Sequence, residues 1–214
     1  MGWKLTGGVS GIDTEVDPTF QAARVSLRPV QLSSYQSIGA LTGNVTAAAA
    51  NGALFSLRNL ASNLLLIRRV GWSFLLTTAF TAAQKLDYGL MFARAFTASD
   101  TGGTAIALTG SNTKQRTSLA TLTSVDCRIA TTAALTAGTK TLDTNYLGII
   151  GGWGTGIGAQ IGSSPDNLLS QSSGDYPLIL AINEGINIVN ITLMGATGVG
   201  VGYVNLEVAE VTSY

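Results

Sequence analysis

Apolar and polar residues alternate along much of this chain. Val25 and Leu27 alternate with Arg24, Ser26 and Arg28 until Pro29 interrupts the run. Val70, Trp72, Phe74 and Leu76 alternate with Arg69, Gly71 and Ser73, and Leu86, Tyr88, Leu90 and Phe92 alternate with Lys85, Asp87 and Gly89. Val125, Cys127 and Ile129 flank Asp126 and Arg128. A period of two sends one set of side chains to a buried face and the other to water, so each run predicts a strand. Cys127 falls on the apolar side of its strand and is expected to pack as a small hydrophobe.

The C-terminal stretch carries the strongest pattern. Tyr176 to Ile182 predicts a strand beginning near Pro177, where a missing N–H is tolerated. Asn183-Glu184-Gly185 predicts a turn. Ile186 and Ile188 then face one way and Val189, Ile191 and Leu193 the other, a slip of phase that predicts a bulge. Gly195-Ala196-Thr197-Gly198 makes a second turn before a long strand from Val199 to Val211. The expectation is three consecutive antiparallel strands joined by short turns. Between Leu54 and Arg68 the positions Leu54, Leu57, Ala61, Leu64 and Arg68 nearly fit an amphipathic helix. The alternation of Phe55 and Leu57 with Ser56 and Arg58 favours strand, turn at Ala61-Ser62-Asn63, and strand.

Turn-rich links such as Asp100-Thr101-Gly102-Gly103 and Thr109-Gly110-Ser111-Asn112 punctuate these runs. At least seven short strands so separated predict an all-β fold, a jelly-roll-like antiparallel β-sandwich, and no Cys…Trp…Cys pattern favours an immunoglobulin-like one. Phe80-Thr81-Ala82, Phe96-Thr97-Ala98 and Leu135-Thr136-Ala137 recur at spacings of 16 and 39 residues. Such unequal spacing excludes a solenoid and predicts similar loops at one end of the sandwich. Residues 1–20 read as an extended N-terminal arm, with Trp3, Val9, Ile12 and Val16 scattered among glycines, and residues 21–214 as a single β-sandwich domain. Trp3 is expected to anchor the arm on a neighbouring subunit, with Val9 and Ile12 as further interface candidates.

Composition narrows the chemistry. The 214 residues carry 12 Lys+Arg, 12 Asp+Glu, no histidine and one cysteine, and only 11% are charged; an ordinary domain has about 25%. Without histidine, and with one thiol, no His/Cys metal site, His-based triad or intrachain disulfide can be built. Zero net charge argues against a partner bound through a strongly basic surface, so no nucleic acid is expected. No basic start followed by an apolar run appears in the first 17 residues, so no signal peptide is expected. Residues 144–165 and 185–206 lack charge. Seven glycines in the first window and β-style alternation in the second argue against membrane spans.

Gly154-Thr155-Gly156-Ile157-Gly158-Ala159 fits a G-x-G-x-x-A dinucleotide fingerprint, but Gly162-Ser163-Ser164-Pro165 breaks the chain where the phosphate-binding helix should run. A surface loop from Gly151 to Gly162 that reaches a neighbouring subunit is expected instead, with Trp153 as a contact residue. Glu207 and Glu210, three apart on a strand, point to opposite faces. Glu184 reads as a solvated turn residue or a partner for a backbone N–H. Asp13, Glu15 and Asp17 lack the glycine and terminal glutamate of a calcium loop. The expectation is no catalytic, cofactor or metal site, and no enzyme. Residues 18–140 carry 11 basic and 3 acidic groups, while residues 141–214 carry six acidic and none basic. Arg68, Arg69, Lys114, Arg116 and Arg128 then read either as scattered solubilising charge or as a face matched to an acidic face of an identical subunit. Arg68 and Arg69 are taken as interface candidates, with no aromatic ladder between the cations to bind a single strand.

Several segments together resemble structural proteins of tailed bacteriophages. They include Glu15-Val16-Asp17, Ser26-Leu27-Arg28-Pro29, Ile67-Arg68-Arg69-Val70, Ala79-Phe80-Thr81-Ala82-Ala83-Gln84 and Asp100-Thr101-Gly102-Gly103-Thr104-Ala105. Pro177-Leu178-Ile179-Leu180, Asn183-Glu184-Gly185-Ile186 and Leu206-Glu207-Val208-Ala209-Glu210-Val211 extend the likeness. The resemblance implies a virion component. One reading is a capsid decoration (cement) protein, a trimer seated on the major capsid protein or other virion proteins. The alternative is a tail-fibre or receptor-binding module that grips host glycans through loops bearing Trp153 and Tyr146.

Overall fold

The computed structural model describes residues 6–7, 12–13, 32–108, 113–115, 117–122, 124–162, 168–170 and 177–212, and contains no α-helix among them. The long strands are β3 (Leu32–Leu41), β4 (Gly52–Asn59), β5 (Leu64–Thr78), β6 (Gln84–Arg94), β8 (Val125–Ile129), β10 (Gly148–Gly154), β14 (Gly185–Asn190) and β15 (Val199–Val211). Shorter pieces are β1 (Thr6–Gly7), β2 (Ile12–Asp13), β7 (Thr104–Ala105), β9 (Thr141–Leu142), β11 (Gln160–Ile161), β12 (Leu169–Ser170) and β13 (Leu178–Leu180). Within the expected arm, β1 pairs antiparallel with β2. Trp3 and Val9 lie outside the described residues, as does the side chain of Ile12.

Two antiparallel sheets pack face to face. The first runs β11-β5-β15-β3, with β12 and β13 also on β5, and the second runs β10-β6-β14-β4-β8-β7. Pieces β11, β12 and β13 meet β5 at Leu75, Val70 and Leu66 in turn, so together they act as one interrupted edge strand. The sheets thus reduce to β3, β15, β5 and β11–β13 facing β4, β14, β6 and β10, with the chain passing back and forth between them. That is the jelly-roll arrangement. The expected alternations mark its interior. Trp72 and Phe74 of β5 meet Tyr88 of β6 across the core, with ring centroids 5.6 and 5.2 Å apart.

The turns after Asn59, Ile182 and Ala196 fall where the sequence places them, and a register shift separates Ile188 from Val189. The strands they join do not pair with one another. β13 lies on β5, β14 lies between β4 and β6, and β15 lies between β3 and β5. Each short turn crosses from one sheet to the other, since β4 and β14 belong to the second sheet and β5, β13 and β15 to the first. The recurring Phe-Thr-Ala elements also separate. Phe80 precedes β6 and Phe96 follows it, and an 11-residue strand spans about 36 Å.

Between β6 and β10 the chain makes a long excursion that covers the outer face of the second sheet. Phe96 packs where a Cβ on Gly185 would stand, and the Tyr146 ring fills the space above Gly89. This third layer buries Ser56 and Asn187, which point away from the sandwich core.

Candidate functional site

β10 forms the outer edge of the second sheet. It pairs with β6 from Gly148↔Leu90 to Gly154↔Gln84, and among the described residues no strand pairs with its other side. Ile150, Gly152 and Gly154 turn inward, where a Cβ on Gly154 would strike Leu76 and Leu86. Ile149 and Trp153 turn outward, 57% and 66% exposed, and the flanking Leu147 and Ile157, outside the strand, are 43% and 75% exposed. Four strand residues span about 13 Å, so Ile149 and Trp153 stand apart as two apolar points, with the Asp87 carboxylate over Gly151 between them and paired with Lys85. Natural edge strands are guarded by lysines, prolines or bulges. β10 has none of these, and no charge lies between residues 144 and 165.

The Gly-rich loop after it is shorter than expected. Residues Gly151 to Gly154 belong to β10, so the expected loop from Gly151 to Gly162 is confined to 155–159 before β11. A Cβ at Gly156 or Gly158 would touch nothing, and Gly158 has φ +85°. A strand follows where a phosphate-binding helix would have to begin.

Arg68 and Arg69 sit far from this edge, on the outer face of the first sheet. Glu207 opposes Arg69 and Val208 opposes Ile67, which leaves Arg68 as the extra residue of a bulge. Arg68 Nη1 donates to Tyr35 Oη at 3.0 Å, Tyr35 Oη donates to Glu207 Oε2 at 3.4 Å, and Arg69 Nη2 lies 3.6 Å from Glu207 Oε1. Both cations are engaged by their own chain. The same holds elsewhere: Arg94 contacts Asp143 at 2.9 Å and Glu184 at 3.3 Å, and Arg128 contacts Asp126 at 3.3 Å. Arg69 and Arg94 of residues 18–140 thus meet acidic groups of residues 141–214 within one subunit, while Arg128, Lys85 and Lys140 pair with acids of their own segment. The jelly roll threads β15 and β14 beside β5 and β6, which brings these oppositely charged groups of the two segments together within the chain. Lys114 points at the Thr117 and Leu119 carbonyls, Arg128 lies on the other sheet, and Arg116 is outside the described residues, so no single basic patch forms among those described.

A polar cluster lies buried beneath the third layer. Asp100 accepts from Gly138 N–H at 2.7 Å, from Lys140 Nζ and from Ser56, and its second oxygen accepts from Asn187 Nδ2 at 2.8 Å. Asn187 Oδ1 has no partner among the described residues. The Lys140 ammonium lies 4.7 Å from the centre of the Phe96 ring. Burial alone would raise the Asp100 carboxyl; the hydrogen bonds from Gly138, Lys140 and Ser56 outweigh it and hold the group below its ordinary range. Burial, then Asp126, push the Cys127 thiol well up, which suits a packing role. Glu184 accepts from Ala181 N–H at 2.8 Å, the turn-closing role expected of it. Among the described residues no group of three or more His, Cys, Asp and Glu is placed to hold a metal ion, and no helix is long and apolar enough to cross a membrane.

Of the sequence-predicted interface residues whose side chains are described, Trp153 lies on the open edge and Arg68 and Arg69 on the other sheet; Ile149, Leu147 and Ile157 were not among the candidates. Their signal was present, as outward alternation of Ile149, Gly151 and Trp153 in a charge-free window. No known protein family matches the sequence, and no curated protein is similar to it. Among solved structures, a 2.6 Å structure of T=1 particles derived from infectious bursal virus overlaps the chain at 16% identity with a TM-score of 0.14. That overlap covers 96% of this chain and 46% of the other, so the chain spans under half of that protein's length. A likeness at that level carries no argument for fold or role.

Proposed function

We propose that this protein is a virion structural component, a capsid decoration (cement) protein that works by subunit–subunit contact, with a trimer as its assembled form. The observation that carries this reading is the open apolar edge of β10. An unguarded strand of that kind is a template for pairing with another chain, and its exposed Leu147, Ile149, Trp153 and Ile157 supply the apolar anchors that interfaces concentrate. A second copy of the chain is the occupant, because β10 and its glycines admit a strand approaching side by side. The resemblance to tailed-phage structural proteins supports placing that assembly on a capsid. The alternative is a tail-fibre or receptor-binding module that grips host glycans through loops bearing Trp153 and Tyr146, and it would need the two rings to act separately. Tyr146 is packed on Gly89, four residues along β6 from Lys85, the partner of Trp153; that offset is about 13 Å.

Two measurements test this. Sedimentation of the purified chain is expected to show a trimer that dissociates in Ile149→Lys. Mixing with undecorated capsids is expected to give binding, and mixing with host cells or their polysaccharide none. Binding to cells without binding to capsids would overturn the cement reading in favour of receptor recognition.

A further inference from the structure

The buried cluster on the outer face of the second sheet holds three groups that can react with one another. Lys140 arrives on the excursion, Asn187 stands in the middle of β14, and Asp100 lies between them. One oxygen of the Asp100 carboxylate accepts from Lys140 Nζ and the other from Asn187 Nδ2. All three side chains are shielded from water, the lysine by the Phe96 ring. A lysine is normally kept at the surface, so burying one against a carboxylate and an amide is costly unless the arrangement is used.

We propose that Lys140 and Asn187 are joined by an intramolecular isopeptide bond, with Asp100 carrying the proton between them. The carboxylate takes a proton from the Lys140 ammonium along the hydrogen bond already present, which frees the amine lone pair. The amine attacks Asn187 Cγ. The neutral Asp100 carboxyl donates to Asn187 Oδ1, the oxygen left without a partner in the resting arrangement, after a half-turn of the amide. The tetrahedral adduct collapses as Asp100 returns its proton to the departing nitrogen. A C–N bond to Nζ forms and the bond from Cγ to Nδ2 breaks. An ammonium and a primary amide become a secondary amide and an ammonium ion, with no oxidant or external reactant. Fixed positions replace a chance encounter of lysine and amide. The product staples the third layer to the centre of the sheet.

The sequence makes the test simple, because no Lys or Arg follows Lys140. Trypsin acting on the unlinked chain would cut after Lys140 and release a peptide of residues 141–214. The linked chain is expected to resist that cut and to yield one peptide of residues 129–214, lighter than its sequence by about 17 Da, one ammonia. Lys140→Arg, Asn187→Ala and Asp100→Ala are each expected to abolish the mass loss. Wild-type protein cut after its own Lys140, at full mass, overturns the proposal. A loss of about 18 Da, one water, with the bond mapped to Asp100 overturns the choice of Asn187 as acceptor. A bond that persists in Asp100→Ala overturns the proton-carrying role. The guanidinium in Lys140→Arg keeps a cation beside Asp100, so the result for that variant does not depend on surviving the loss of the ion pair.

Discussion

On the free side of β3, Gln115 N–H donates to the Tyr35 carbonyl at 2.9 Å and Ala120 N–H donates to that of Ser33 at 3.2 Å. On the free side of β10 no described residue does anything comparable. The two strands close opposite sheets, yet one is sealed by the chain itself and the other, among the described residues, is open. The seal is polar and specific. Gln36, fully buried on β3, donates to the Leu108 carbonyl at 2.8 Å and to Thr113 Oγ1 at 2.5 Å, and accepts from Leu122 N–H at 2.6 Å. Its amide holds both limbs of residues 108–122 against the sheet. The open edge is apolar and unspecific. A sheet can be finished by intrachain hydrogen bonds or by a second chain; β3 uses the first, and under the proposed function β10 uses the second.

Breaking the seal should have the largest effect. Gln36→Ala strands the Leu108 carbonyl and the Leu122 N–H in a dry pocket, and a buried group left without its partner costs about 1–3 kcal/mol. We expect a loss on the order of 3 kcal/mol in urea unfolding, with no change in self-association. A loss under about 1 kcal/mol would mean that β3 is sealed by its backbone alone.

Breaking the open edge should do the reverse. Trp153→Lys places a charge on the open edge while leaving the pairing of β10 with β6 intact. Central aromatic anchors contribute about 2 kcal/mol or more, so the self-association constant should fall at least roughly 30-fold in sedimentation equilibrium. The melting temperature of the dissociated subunit should not move, since isolated surface changes are worth about 0.5 kcal/mol at most. An unchanged association constant would show that this edge is not where copies meet.

The difference between these edges was only half legible in the sequence. Alternation located β5, β6, β8 and β15, since a period of two reports which face a side chain takes. It does not report which strand lies alongside, and so β13, β14 and β15 looked like a meander when each turn in fact changes sheets. β3 passed unnoticed because its buried face begins with Ser34 and Gln36, polar residues that read as solvent-facing; for Gln36 the partners come from chain 72 and 86 residues away. The Arg68 bulge was hidden for a different reason. Leu64-Leu65-Leu66-Ile67 is apolar throughout and carries no phase from which a slip could be seen. Trp153 was found by its size and its glycine-rich setting. The Asp100, Lys140 and Asn187 cluster joins three segments that only the folded topology brings together.

The smallest expected effect isolates stability from association. Tyr88 lies on β6, opposite Ile150 of β10, and its buried hydroxyl has no partner among the described residues. Burial, then the neighbouring Asp87, raise its phenol well above the ordinary value. Tyr88→Phe removes the orphaned group and keeps the ring contacts with Trp72 and Phe74, so it should stabilise the fold by about 1 kcal/mol. The gain should grow in alkali. A group whose folded pKa is raised holds its full contribution below the unfolded value, about 10 for tyrosine, and loses it as pH climbs beyond. Wild-type protein should therefore lose stability above about pH 10 faster than Tyr88→Phe, a divergence that melts at pH 8 and pH 11 would measure. Because the substitution leaves every outward residue of β10 in place, the association constant should stay where it was. If it rose with stability, the free edge would be limited by how firmly β6 holds β10, and the contrast between a sealed and an open strand would become one of rigidity as well as of chemistry.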